Sequence, residues 1–183
     1  MEIMVVIVIL GILAVMSMGS FTASQRKSRD LKRKSDITAI GKALEMYYND
    51  EGKYPSVNAN GEMVACTDAA CAWGTGQMTN KGGQVTYMTQ IPDDPKGAYS
   101  YFYDTDDDGT YFQLYVRLEN EDDSVVLVDN VPAYYEATKC ISAVNGWDAY
   151  CNYGISSTNV LPSDGHNRLN AEPTEDPPSD PEM

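Results

Sequence analysis

The stretch DTDDDG places Asp104, Asp106 and Asp108 at alternate positions, with Gly109 directly after them. Carboxylates spaced in this way, followed by a glycine for the sharp turn, open the calcium loop of an EF-hand. In such a loop a bidentate glutamate completes the coordination, and the corresponding position here holds Tyr115. A hairpin turn with Asp-Gly at its tip explains the same residues without an ion. Cys66, Cys71, Cys140 and Cys151 form a second group. An even set of this kind suits disulfides in an oxidising compartment. The spacings in CTDAAC and CISAVNGWDAYC suggest Cys66 with Cys71 and Cys140 with Cys151, although four cysteines permit three connectivities. Zinc needs two well-placed knuckle-like pairs, and neither spacing is the usual short one. The sole histidine, His166, lies in a polar stretch where nothing would hold it against a partner, so general-base chemistry has no footing. No nucleophile, base or metal constellation points to an enzyme, and calcium at the three aspartates is the only cofactor in view.

A third group is Glu2, almost at the tip of MEIMVVIVILGILAVMSMGSF. From Ile3 to Met18 the run carries no charge and falls slightly short of the ~20 residues that span a bilayer as a helix. An ionised carboxylate within lipid costs on the order of 2.5–3.5 kcal/mol on insertion scales, so it marks a function or has a partner. The alternative is that Glu2, at the segment's end, reaches the headgroups. Charge follows the oily core and no cleavage site is evident, which favours retention in the membrane over a secretory signal.

The elements that must position these groups begin with one long helix. No proline interrupts the text from the apolar run to Asn49, and Ile37, Ile40, Leu44 and Tyr47 recur at helical spacing. Gly52 and Pro55 supply the stop. Six of the 13 Lys and Arg residues lie between Arg26 and Lys34, a stretch without a comparable stripe that reads as a solvated face or a lipid-headgroup contact. From Ser35 onward acidic residues outnumber basic ones 25 to 7, so the head should repel nucleic acid. The segment VNANGEMVACTDAACAWGTGQMTNKGGQ reads as a long loop clipped by its cysteines. Strands are expected at Tyr99 to Tyr103, Tyr111 to Leu118 and Val125 to Val128, with tyrosine rings covering the helix stripe. The text around Cys140 and Cys151 reads as a final loop or hairpin beside the sheet, with Trp147 as a core or loop anchor. The division is therefore 1–24 apolar helix, 25–52 amphipathic continuation, 53–155 disulfide-bearing head, and 156–183 acidic, proline-rich, disordered tail.

MEIMVVIVILGILA, with RKSRDLKRKSDITAIGKALEMYYNDEGKYP after it, resembles the N-terminal helix of type IV pilins and of the pseudopilins of type II secretion systems. IPDDPKGAYSYFY resembles the entry to the major-pseudopilin sheet, and the hairpin ending Leu118-Glu119 is similar to that of relatives. The resemblance implies an α+β pilin-like fold: a long N-terminal helix, its first half in the membrane, packed on a small antiparallel sheet. It implies Glu2 as the assembly glutamate, paired with the terminal amine of a neighbouring subunit, and Gly11 as the helix glycine. Filament partners would be further copies and minor pilin or pseudopilin subunits, with an inner-membrane assembly platform and, before assembly, membrane lipid. The chain would be single-pass in the inner membrane, its head extracytoplasmic, and part of a periplasmic or surface filament after assembly. The methylated phenylalanine, the two residues after it and the basic leader of the family are expected ahead of the given start. Major pseudopilins resemble this chain in having a calcium-binding loop, but their glycine- and aspartate-rich motif is not recognisable further along. The long cysteine loop and acidic tail favour a surface pilus, and the hairpin block favours a pseudopilin.

A competing class is a monomeric, membrane-anchored extracytoplasmic module that uses its tyrosines or acidic loops to hold a ligand or calcium. The Arg26 to Lys34 cluster, taken alone, would place the head in the cytoplasm; the cysteines and the resemblance place it outside.

Overall fold

The computed structural model describes residues 2–58, 60–67, 69–97, 99–120, 122–126, 140 and 151–160, with the side chains of 2 and 14–20 excepted. Trp147, His166 and the tail from 161 onward lie outside the described residues. A single helix, α1, runs Glu2–Glu51. Its later half is amphipathic: Ile37, Ile40, Ala43, Leu44 and Tyr47 fall three or four residues apart and are all buried. Gly52 ends it at a φ of 74°, donating its N–H to Tyr48 O at 2.8 Å. A left-handed residue in that position is what glycine tolerates best.

Among the described residues seven short strands follow, and every pairing is antiparallel. β1 (Val64–Cys66) pairs with β2 (Ala69–Ala70), and β3 (Met78–Thr79) pairs with β4 (Thr86–Met88). The main sheet has the order β5 (Phe102–Thr105), β6 (Phe112–Val116), β7 (Tyr153–Ser156). Within it, Tyr103 faces Leu114 and Tyr115 faces Gly154. The central strand β6 is buried along its whole length: α1 packs against it, and the Cys140–Cys151 pair and Phe102 pack on Tyr115. The core joins Ile37, Ile40 and Leu44 of α1 to Tyr101, Tyr103, Phe112, Leu114 and Val116. Gly41 lets the sheet come close: a Cβ there would stand 2.9 Å from Ile155 Cδ1.

The tyrosines work as amphipathic wedges. Tyr103 donates its hydroxyl to Pro55 O at 2.7 Å, and Tyr101 donates to Asp36 Oδ2 at 3.1 Å. Their rings thus fill the core while each hydroxyl finds an acceptor.

Several elements differ from the sequence expectations. The strands at 99–103 and 111–118 are shorter, at 102–105 and 112–116. Val125 and Val126 lie in a turn stabilised by Val126 N–H to Asp123 O at 2.9 Å, not in a strand. The cysteine-clipped loop contains the β1–β2 hairpin and supplies β3 to a second hairpin with β4 just beyond it, each held by only two residue pairs, too few to leave a periodic pattern. The head also runs past residue 155, since Ser157 donates its N–H to Phe112 O at 3.1 Å.

Candidate functional site

The first half of α1 projects bare. Every described hydrophobic side chain from Ile3 to Leu13 is exposed, with even Ile9, the most covered of them, 52% exposed. The apolar residues lie on all sides of this segment, a pattern belonging to helices buried in protein or lipid rather than in water. A Cβ at Gly11 would meet nothing within 4 Å, so the surface beside it is open to a close partner. Glu2 begins the helix, and its side chain lies outside the described set. Among the described residues no helix is long and apolar enough to cross a membrane.

Where α1 meets the head, the basic stretch expected as a solvated face or a lipid-headgroup contact is divided: Arg26, Lys27 and Lys32 are exposed, whereas Arg29, Arg33 and Lys34 turn to the head. Arg33 is fully buried. Its Nε donates to Asp94 Oδ2 at 2.6 Å, and its Nη1 reaches Asp30 Oδ1 at 2.7 Å and Glu119 Oε1 at 2.9 Å. Arg29 grips the same Glu119 with two bonds, Nε to Oε1 at 2.7 Å and Nη2 to Oε2 at 2.6 Å. Asp30 accepts the backbone N–H groups of Glu119 at 2.9 Å and Asn120 at 2.8 Å. Lys34 pairs with Asp123 at 2.6 Å. The helix is thereby bolted to the turn at Asp94 and to the segment after β6. Bonds from Arg29 and then Arg33 hold the Glu119 carboxyl down at about 2. Burial disfavours the charge on Arg33, but the bonds to Asp94, Asp30 and Glu119 outweigh it and raise its pKa further. The sequence does contain the signal for this cluster. Arg33 sits four residues before Ile37 and seven before Ile40, so it continues the buried stripe, and a charge on that stripe demands partners.

The three aspartates of the calcium reading are not brought together. Asp104 is buried in β5 opposite Gln113, with no hydrogen-bond partner for Oδ2 among the described residues, and burial pushes its carboxyl up to about 7. Asp106 instead ties the turn, accepting from Thr110 N at 2.6 Å and Thr110 Oγ1 at 2.5 Å. Asp108 is exposed. Gly109 has a φ of 67°, and any Cβ would stand 2.7 Å from Tyr54 O, so only glycine lets this turn pack on the helix exit. Among the described residues no group of three or more His, Cys, Asp or Glu side chains is disposed to hold a metal ion. Cysteine pairing is local: Cys66 with Cys71, clipping the first hairpin, and Cys140 with Cys151, buried against Tyr115.

A long helix with a bare apolar first half and a second half bolted to a small antiparallel sheet defines an α+β protein of pilin-like fold. A family profile described as Type II secretion system (T2SS), protein G, matches residues 20–119, and the chain belongs to this pseudopilin family. Type II secretion system core protein G of Aeromonas hydrophila is 35% identical over 97 residues, 53% of this chain and 64% of that protein. The proteins of the same name from Klebsiella pneumoniae and Escherichia coli K12 are 35% and 33% identical, over 54% and 61% of this chain and 66% and 73% of their own lengths. Against the first two, the chain spans just under two thirds of the relative's length. No solved structure matches the chain.

Proposed function

We propose that this chain is a structural subunit of a type II secretion pseudopilus that polymerises through the bare half of α1. The observation that carries this reading is the segment Ile3–Leu13, apolar on every side and uncovered by its own head. Before assembly lipid would cover it, with the head extracytoplasmic; afterwards, the helices of neighbouring copies would. The disulfides of the head suit that compartment. In the packed state Glu2 would meet the terminal amine of an adjacent copy. A desolvated pair of this kind adds little net stability but penalises wrong registers.

The reading is tested by producing the full chain, with its native leader, beside a cognate assembly machinery and blotting the filament fraction sheared from cells. The protein should appear in that fraction, and Glu2→Ala should deplete it while leaving the head folded and the membrane fraction unchanged. A chain that stays entirely in the membrane, alone, would favour the anchored monomeric module instead.

A further inference from the structure

A cleft of about 450 Å³ opens where α1 leaves its apolar segment, between Phe21, Arg26 and Arg29 of the helix, Lys96 and Tyr99 of the turn after Asp94, and Arg117 after β6. In a chain of net charge −14 this is a concentration of positive charge. Among the described residues the one acid on its wall, Glu119, is already engaged by Arg29 and Arg33. Arg29 is thus committed to the bolt, whereas Lys96 is half exposed, with its Nζ 3.9 Å from Glu119, and Arg26 is exposed and pairs with no carboxylate among the described residues. Tyr99 lies between the guanidiniums of Arg33 and Arg117, each 5.8 Å from its ring, which fixes the back of the cleft.

We infer that this cleft binds the phosphate headgroup of an anionic phospholipid, with Arg26 and Lys96 as the cations that face it. Phe21 selects that ligand over others. It is 64% exposed at the cleft and lies eight residues, about 12 Å of helix rise, beyond Leu13. A free phosphate or a stretch of acidic peptide would satisfy the cations and leave this ring in water. A lipid presents a phosphate beside acyl carbon and satisfies both. Juxtamembrane basic groups attract anionic lipid in this way. The inference rests on the membrane insertion proposed above. It adds that the head is seated on the bilayer by a defined site before it enters a filament.

The test uses the full-length protein reconstituted into phosphatidylcholine vesicles containing a photoactivatable phosphatidylglycerol or, separately, a photoactivatable phosphatidylcholine. Phosphatidylglycerol should label peptides containing Phe21 to Arg29, Lys96 to Tyr99 and Arg117, more strongly than phosphatidylcholine, and about 0.5 M salt should weaken the labelling. The combined substitution Arg26→Gln and Lys96→Gln should lower it about thirtyfold, with flotation on neutral vesicles and thermal unfolding of the head retained. Phe21→Ser should also lower it, without altering the cations. Equal labelling by the two lipids, or labelling unchanged in the double variant, overturns the site. So does inorganic phosphate competing equally well with and without bilayer, or a crosslink joining two copies through the cleft in place of lipid. Failure to float on any vesicle would overturn the membrane reading as well. Flotation without headgroup preference would overturn the cleft alone.

Discussion

Residues 3–13 of α1 leave every described apolar side chain in solvent, whereas Ile37, Ile40 and Leu44, on the same helix, are fully buried beneath the head. The later half is covered because its stripe is narrow and matched by tyrosines and β6 from its own chain. The earlier half is apolar all round, and one small sheet cannot enclose a cylinder. In the proposed function its cover comes from lipid or from other helices. Between the two halves stands a group of buried charges, Asp30, Arg33, Asp94 and Glu119. Replacing such a cluster by apolar residues is often neutral, whereas removing a single member is not. Its role here is geometric: it sets the point at which the helix leaves the head.

The sharpest break in this comparison comes from Arg33→Ala. It strands Asp94 beneath the surface, leaving Asp30 only its backbone donors and Glu119 only Arg29 as its close cation, and removing one partner of a buried pair costs about 3–5 kcal/mol. Chemical denaturation of the head should show a loss in that range. The cluster also gives an acid limb. Glu119 has its pKa depressed in the folded state, so its contribution is present above the ordinary carboxylate value and disappears as pH falls toward about 2.

Next in size is a matched pair on one helix. Ile40→Ala should cost about 2–5 kcal/mol as a core truncation. Ile9→Ala, in a detergent-solubilised monomer, should leave thermal unfolding of the head within about 0.5 kcal/mol of the parent. Equal losses at the two positions would mean that the head does cover the first half.

A smaller effect distinguishes Asp104. Its pKa is raised in the folded state, so the folded head holds a proton that the unfolded chain has released between the ordinary carboxylate value and about 7. Its contribution is complete below that window and is lost as pH rises through it. Asp104→Asn should flatten this slope and gain relative to the parent at pH above 7, as read from unfolding midpoints across pH. Smallest of all is Lys32→Ala, which removes an i,i+4 pair between an exposed lysine and buried Asp36, leaving Asp36 its bond from Tyr101; about 0.3–0.5 kcal/mol is expected.

Much of the architecture was legible from residue types. The spacing of Ile37, Ile40, Leu44 and Tyr47, with Gly52 and Pro55 after them, specifies the amphipathic half of α1 and its end without reference to the rest of the chain. The hairpin around Asp-Gly was equally local. The buried ion cluster was not, because Asp94 and Glu119 are 61 and 86 residues from Arg33. A run of lysines and arginines read by composition looks solvated; only its register on the stripe distinguishes Arg33 from Lys32. Strand β7 escaped for a related reason. Its burial pattern shows no alternation, and its pairing with β6 joins segments separated by nearly forty residues of sequence. Glu2 and Gly11 are legible as candidates through chemistry and resemblance, and the role proposed for them lies between molecules, where one chain does not display it.

The most direct measurement is the amount of this protein in sheared filaments when a single charge is placed on the bare half of α1. Ile9→Asp, expressed with the native leader and assembly machinery, should abolish the filament fraction while the purified head unfolds at the parent's midpoint. Filaments formed by Ile9→Asp at the parent's yield would contradict the claim that this apolar surface is what the subunits share.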